Sequence, residues 1–130
     1  MAAPELHIDI DPGPWDEPKF RDHQAAGGRL TGRVRVTSDD MVRCRGLSVR
    51  VGWHTEGRGD TDYERCMDRV VFEGEIMPGE QEFPFECDLP GGPMSYAGHY
   101  INIIWDVTAQ LDLAWKRDPT ASQMFFLTIP

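Results

Sequence analysis

The 130-residue chain is 40% hydrophobic and 27% charged, which suits one domain able to bury about two-thirds of its unfolded surface without a metal or disulfide staple. Its net charge of −9 disfavours nucleic acid or an anionic membrane surface as the main partner. No apolar run approaches the ~18 residues of a membrane span, and Met1-Ala2-Ala3-Pro4-Glu5 has no basic region followed by an apolar stretch, so a cytoplasmic address is expected.

Taken in chain order, Leu6, Ile8 and Ile10 alternate with His7, Asp9 and Asp11 and predict a first strand. Residues 12–28, with Pro12-Gly13-Pro14, Pro18 and Gly27-Gly28, predict a long and mobile loop. Leu30, Val34 and Val36 mark a second strand, which ends at the turn Ser38-Asp39-Asp40. A third strand runs from Val42 to Trp53 with Leu47, Val49, Val51 and Trp53 inward. Val42 and Cys44 have the opposite parity, so a bulge is expected near Arg45-Gly46. A Gly-rich loop is expected from Thr55 to Asp60, and Cys66, Val70, Phe72 and Ile76 predict a fourth strand.

Met77-Pro78-Gly79-Glu80 has Pro and Gly where a type II turn requires them. Phe83, Phe85, Cys87 and Leu89 alternate with polar residues in the next strand, where Pro84 cannot donate a ladder hydrogen bond and so marks an edge or a bulge. After the Pro90-Gly91-Gly92-Pro93 break, every second residue from Ile101 to Trp115 is apolar. At about 3.3 Å per residue such a strand would run roughly 50 Å, so it is expected to bend or break partway. A turn at Arg117-Asp118-Pro119 and a strand over Met124–Ile129 complete the chain. No segment of ten residues has helical periodicity, and seven or eight strands separated by turns predict an all-β, immunoglobulin-like antiparallel sandwich.

Three stretches carry a family resemblance. Phe83-Pro84-Phe85-Glu86-Cys87-Asp88-Leu89-Pro90, then Pro93-Met94-Ser95-Tyr96-Ala97-Gly98, then Trp105-Asp106-Val107-Thr108-Ala109-Gln110-Leu111 resemble the N-terminal domain of arrestins. Leu30-Thr31-Gly32-Arg33-Val34, Gly46-Leu47-Ser48-Val49 and the Gly74–Gly79 hairpin are similar to earlier strands of that family, so the resemblance covers roughly residues 29–128. It implies an arrestin N-domain type of sandwich and a non-catalytic, protein-binding adaptor or scaffold; bacterial relatives include sporulation-control proteins. The chain departs from the family in two ways. The receptor-sensing arrestins carry a phosphate-sensing lysine pair in the first strand, and Leu6–Ile10 contains no lysine. The second arrestin domain is also missing, so the interdomain polar core is not expected within this chain, and receptor-phosphate sensing is not carried over.

The residues with chemical potential are mostly accounted for by ordinary structure. Asp60-Thr61-Asp62-Tyr63-Glu64 spaces acids as a calcium loop does, but Arg65 stands where the tight-turn Gly belongs and Val71 where the bidentate Glu belongs, so a solvated loop is expected. His7, His23, His54 and His99 form no ligand motif, and Cys44, Cys66 and Cys87 lack CxxC spacing; neither a metal nor a cofactor is expected. Cys87 is read as a small core hydrophobe. Ser95 lies outside any GxSxG elbow and is expected to bond the turn. Glu73/Glu75 and Glu82/Glu86 are expected to be solvated on outward faces.

The arginines are the least ordinary feature. Residues 29–58 hold seven arginines against Asp39, Asp40 and Glu56, a local charge of +4 that leaves −13 for the rest. Arg33, Arg35, Arg43, Arg45 and Arg50 are placed on adjacent strands with outward parity and are the candidate protein-binding residues; the competing reading pairs them with the protein's own acids. The expected function is therefore a non-catalytic protein-binding adaptor that docks through sheet edges or an arginine face. Two alternatives stand beside it. One is a small-ligand or glycan-binding sandwich using Trp15, Trp53, Trp105 and Trp115, although at least three of these fit inward positions. The other is a structural homo-oligomer paired through its sheet edges.

Overall fold

The computed structural model describes residues 3–59, 61–114 and 117–130. Nine strands are seen among them: β1 (Glu5–Ile10), β2 (His23–Ala25), β3 (Arg29–Ser38), β4 (Val42–Gly57), β5 (Tyr63–Ile76), β6 (Gly79–Asp88), β7 (Tyr96–Ala97), β8 (Ile101–Leu113) and β9 (Thr120–Thr128). They form two layers. One is a three-stranded antiparallel sheet in the order β1-β3-β6; the other has the order β2-β9-β8-β4-β5, with β7 added to β8. All pairings are antiparallel except β2 with β9.

The two inner faces share one apolar cluster. Alternation supplies it directly: Leu30, Val34 and Val36 from β3, Phe83, Phe85 and Cys87 from β6, and Trp105, Val107, Ala109, Leu111 and Leu113 from β8 are all buried. Trp105 fills the centre at 1% exposure, stacks on Phe125 at 5.8 Å, and donates its indole N–H to the Pro93 carbonyl at 2.7 Å.

The expected bulge lies in β4, where pairing with β8 skips a residue between Cys44 and Gly46 and brings Cys44 and Leu47 onto the same buried face. Against β5 the register shifts between Cys44 and Leu47, between Leu47 and Ser48, and again between Val51 and Gly52. There the backbone approaches so closely that a Cβ on Gly52 would lie 2.3 Å from the Glu64 carbonyl oxygen. Gly79, at φ +98, takes the positive-φ position of the Met77–Glu80 turn, as its type requires. That turn carries the chain from one layer to the other. Pro84 lies on β6, an edge strand paired only with β3.

Four expectations change. The 12–28 segment is not an unstructured loop: it holds a 3-10 turn at Pro18–Phe20 and the strand β2. Buried Gln24 donates to the Asp11 carbonyl at 2.8 Å, while Trp15, Phe20, His23 and Phe126 stack in succession. β4 continues through Thr55 to Gly57, where a loop was expected to begin. In the first half of β5 the buried residue is Met67, while Cys66 and Val70 are exposed at the sheet edge, because the shifts in register against β4 reset the parity. β8 runs unbroken, but its partner on one side changes from β7 at residues 102–103 to β9 at residues 105–110. Trp115 lies outside the described residues.

Candidate functional site

The arginines do not converge. Arg33 and Arg35 stand on β3 in the three-stranded layer, and Arg43, Arg45 and Arg50 on β4 in the other layer, so strands next to each other in sequence are not adjacent in space. Acids of the protein itself pair most of them. Arg33 lies 3.2 Å from Asp11, Arg45 2.7 Å from Asp112, and Arg50 3.6 Å from Asp68. Arg35 Nε is 2.7 Å from Asp9 without hydrogen-bond alignment, and Arg35 Nη1 is 3.5 Å from Glu80. Arg43 stands opposite Glu75 in the β4–β5 register. These partners are mainly aspartates rather than Glu73, Glu75, Glu82 and Glu86. Exposed pairs of this kind contribute about 0–1 kcal/mol each. Asp11 is held below the ordinary carboxylate range by the Thr31 hydroxyl at 2.8 Å and, next, by the Arg33 guanidinium.

An apolar face on the outside of the larger sheet was not anticipated. β9 pairs with β8 only as far as Phe125, beyond which it pairs with β2. Ser95 sits beside it there, donating its N–H to the Leu127 carbonyl at 3.0 Å and accepting the Leu127 N–H on its hydroxyl at 2.8 Å. Ser95 thus bonds the chain as expected. The divergence leaves a hollow of about 460 Å³ lined by His23, Tyr96, Ile103, Ile104, Met124 and Phe126, among others. Tyr96, Met124 and Phe126 are 56%, 47% and 40% exposed. The sequence holds a signal for this face: Ile104, Met124 and Phe126 are apolar at positions where β8 and β9 otherwise present polar side chains outward.

The opposite side of the sandwich is open between edges. β5 ends one layer and β6 the other, and among the described residues the 14-residue β5 has a ladder partner only in β4. Between them lies a groove of about 780 Å³ bounded by Arg33, Arg69, Val70, Glu82, Pro84 and Glu86 among others. At one end of this side, Cys66 Sγ of β5 and Cys87 Sγ of β6 are 3.4 Å apart. Cys87 is buried as expected, and Cys66 is exposed. The hydrogen bond between them lowers the Cys66 thiol from its ordinary range and, together with burial, pushes the Cys87 thiol far up.

The remaining candidates have local roles. His54 contacts Glu56 at 3.1 Å and Asp106 at 3.7 Å. Burial raises the Asp106 carboxyl. Among the described residues no three His, Cys, Asp or Glu side chains are placed to hold a metal ion. Asp60 of the calcium-like loop lies outside the described residues, and the Asp62 carbonyl accepts the Thr55 N–H at 2.9 Å. Of the tryptophans, Trp105 is in the core, Trp53 is partly buried and packs against the core as its inward parity predicts, and Trp15 is partly buried on the 12–28 segment. No helix of the described residues is long and apolar enough to cross a membrane.

No protein-family model matches the chain, and no curated protein sequence matches it. The fold is nevertheless an arrestin-like β-sandwich. Spo0M, the sporulation control protein of Bacillus subtilis, superposes on 100% of this chain with a TM-score of 0.75 at 18% sequence identity. The match spans 51% of the Spo0M chain, so this chain corresponds to about half of that protein's length. At this identity the likeness establishes the fold.

Proposed function

We propose that this protein is a non-catalytic adaptor that binds another protein through the apolar outer face formed by β7, β8 and β9. The observation that carries this reading is the hollow where β9 leaves β8, with half-exposed Tyr96, Met124 and Phe126 at its rim. Contiguous exposed apolar surface is uncommon on monomers, and aromatic and methionine side chains are enriched at protein interfaces. The arginines contribute less, because they lie on two layers and most are already paired. The arrestin-like fold, shared with a sporulation control protein, supports a regulatory role of this kind.

The test is a quantitative pull-down from the source cells with three forms of the chain. The Met124→Lys/Phe126→Lys variant, altered only at exposed positions, is expected to fold and to lose a stoichiometric partner that the wild type retains. The Arg33→Glu/Arg35→Glu/Arg50→Glu variant is expected to retain it. Loss of the partner in the arginine variant alone would move the docking surface to that layer. If light scattering showed the wild type to be a dimer that Met124→Lys/Phe126→Lys converts to monomer, the face would pair copies of this chain and the adaptor reading would fall.

A further inference from the structure

We propose that Cys66 and Cys87 form a reversible redox site, in which a peroxide-class oxidant converts the two thiols to a disulfide that ties β5 to β6 across the open side of the sandwich. The geometry is already close. The sulfurs are 3.4 Å apart, and a disulfide needs about 2.05 Å, so a movement of roughly 1.4 Å shared between two strands suffices. Both strands are sheet edges, each with a ladder partner on one side only, so a small shift of either disturbs little of the core. Access is also provided. The pair opens onto a hollow of about 260 Å³ lined by Arg29, Met67, Arg69, Glu86 and Asp88. Peroxide needs an accessible thiolate, and Cys66 is the exposed member of the pair.

Across this 3.4 Å contact a Cys87 S–H that donates to Cys66 favours the thiolate on Cys66, the exposed residue of the pair. The acids Glu64 and Asp88 act against ionisation, so the site is not a strongly activated thiol, and its specificity rests on proximity. In the first step Cys66 Sγ attacks a peroxide oxygen, the O–O bond breaks, and hydroxide leaves, giving a sulfenic acid. In the second step Cys87 Sγ attacks the Cys66 sulfur. The S–S bond forms as the S–OH bond breaks, and the departing hydroxide takes the Cys87 proton as water. The two cysteines together lose two electrons, and one hydrogen peroxide gains two and becomes two waters. Small thiols reverse the change by exchange. Cys44 is buried elsewhere in the core and takes no part.

The experiment uses the reduced full chain treated with one equivalent of hydrogen peroxide under native conditions. Thiol titration after unfolding is expected to fall from three groups to one, with a mass loss of 2 Da. A tryptic digest is expected to link the 66–69 peptide to the 70–116 peptide, and dithiothreitol should restore all three thiols. The Cys66→Ser variant, altered at an exposed position, should keep both of its thiols under the same treatment, and Cys44→Ser should still form the link. Retention of three thiols, a stable sulfinic acid on Cys66 with Cys87 free, or a link involving Cys44 would each overturn the proposal.

Discussion

The Leu127 N–H donates to the Ser95 hydroxyl at 2.8 Å, and Leu127 itself is fully buried. Ser95→Ala removes the acceptor and leaves a buried donor without it, at a cost of about 1–3 kcal/mol. A second hydroxyl contact makes the contrast. Ser122 Oγ meets Thr108 Oγ1 at 2.9 Å on an exposed face, where water replaces either group. Ser122→Ala should therefore change stability by no more than about 0.5 kcal/mol. Urea midpoints of the two variants check both figures, and equal midpoints would show that burial does not decide the worth of these two bonds. The same reasoning assigns a small contribution to the arginine pairs, whose side chains remain partly solvated.

β4 is the element on which the larger layer depends, since it pairs along its length with both β5 and β8. Its irregularity at Val51–Gly52 accepts the close approach of the Glu64 carbonyl, so Gly52→Ala places a methyl 2.3 Å from that oxygen. The expected result is a loss of about 1–3 kcal/mol, with faster amide hydrogen exchange confined at first to Tyr63–Met67. Uniform exchange across β4 and β8 would mean that the close approach is not local.

Such irregularities also explain what the sequence could and could not convey. β3, β6 and β8 alternate cleanly between two neighbours or along a dry seam, and their inward residues are legible. β5 lies at an edge, where a single partner tolerates shifts in register, and the parity read from Cys66 and Val70 fails. β2 pairs in parallel over three residues and leaves no periodic trace. The separation of Arg33 and Arg35 from Arg43, Arg45 and Arg50 follows from a turn at residues 39–41 that changes layer where a hairpin would have kept them adjacent. Turn residues alone do not distinguish the two outcomes. The Cys66–Cys87 approach joins different layers and is invisible to spacing. The apolar outer face was legible in part, at Ile104, Met124 and Phe126.

At the scale of the whole molecule, charge sets the response to pH. With a net charge of −9 and a pI near 4.7, self-repulsion weakens as the pH falls from neutrality toward the pI. Specific carboxylates act over a lower range. Asp118 accepts the Leu113 N–H and the Gln110 amide, each at 3.0 Å, and its carboxyl is held below the ordinary value of 3.8, chiefly by the Leu113 bond. Asp11 is lowered likewise by Thr31 and Arg33. A folded-state pKa below the unfolded one gives stability that is present above about 3.8 and is lost as the pH falls through the lowered value. Asp106 has the opposite sign: burial raises it, so its ionisation costs stability as the pH rises from 3.8 through its folded value. Stability at low salt should thus increase modestly from pH 8 to about pH 5 and then fall steeply below about pH 4. Added salt should flatten the upper limb, which is long-range repulsion, more than the lower limb, which is short-range bonding. Two variants separate the contributions. Asp118→Ala should be less stable than wild type by a constant margin above pH 5, and the margin should close as the pH drops below 4. Asp106→Asn should be more stable than wild type at pH 7, with the gain disappearing on acidification. A margin for Asp118→Ala that persists unchanged at pH 2 would mean that its carboxylate bonds do not carry the acid limb.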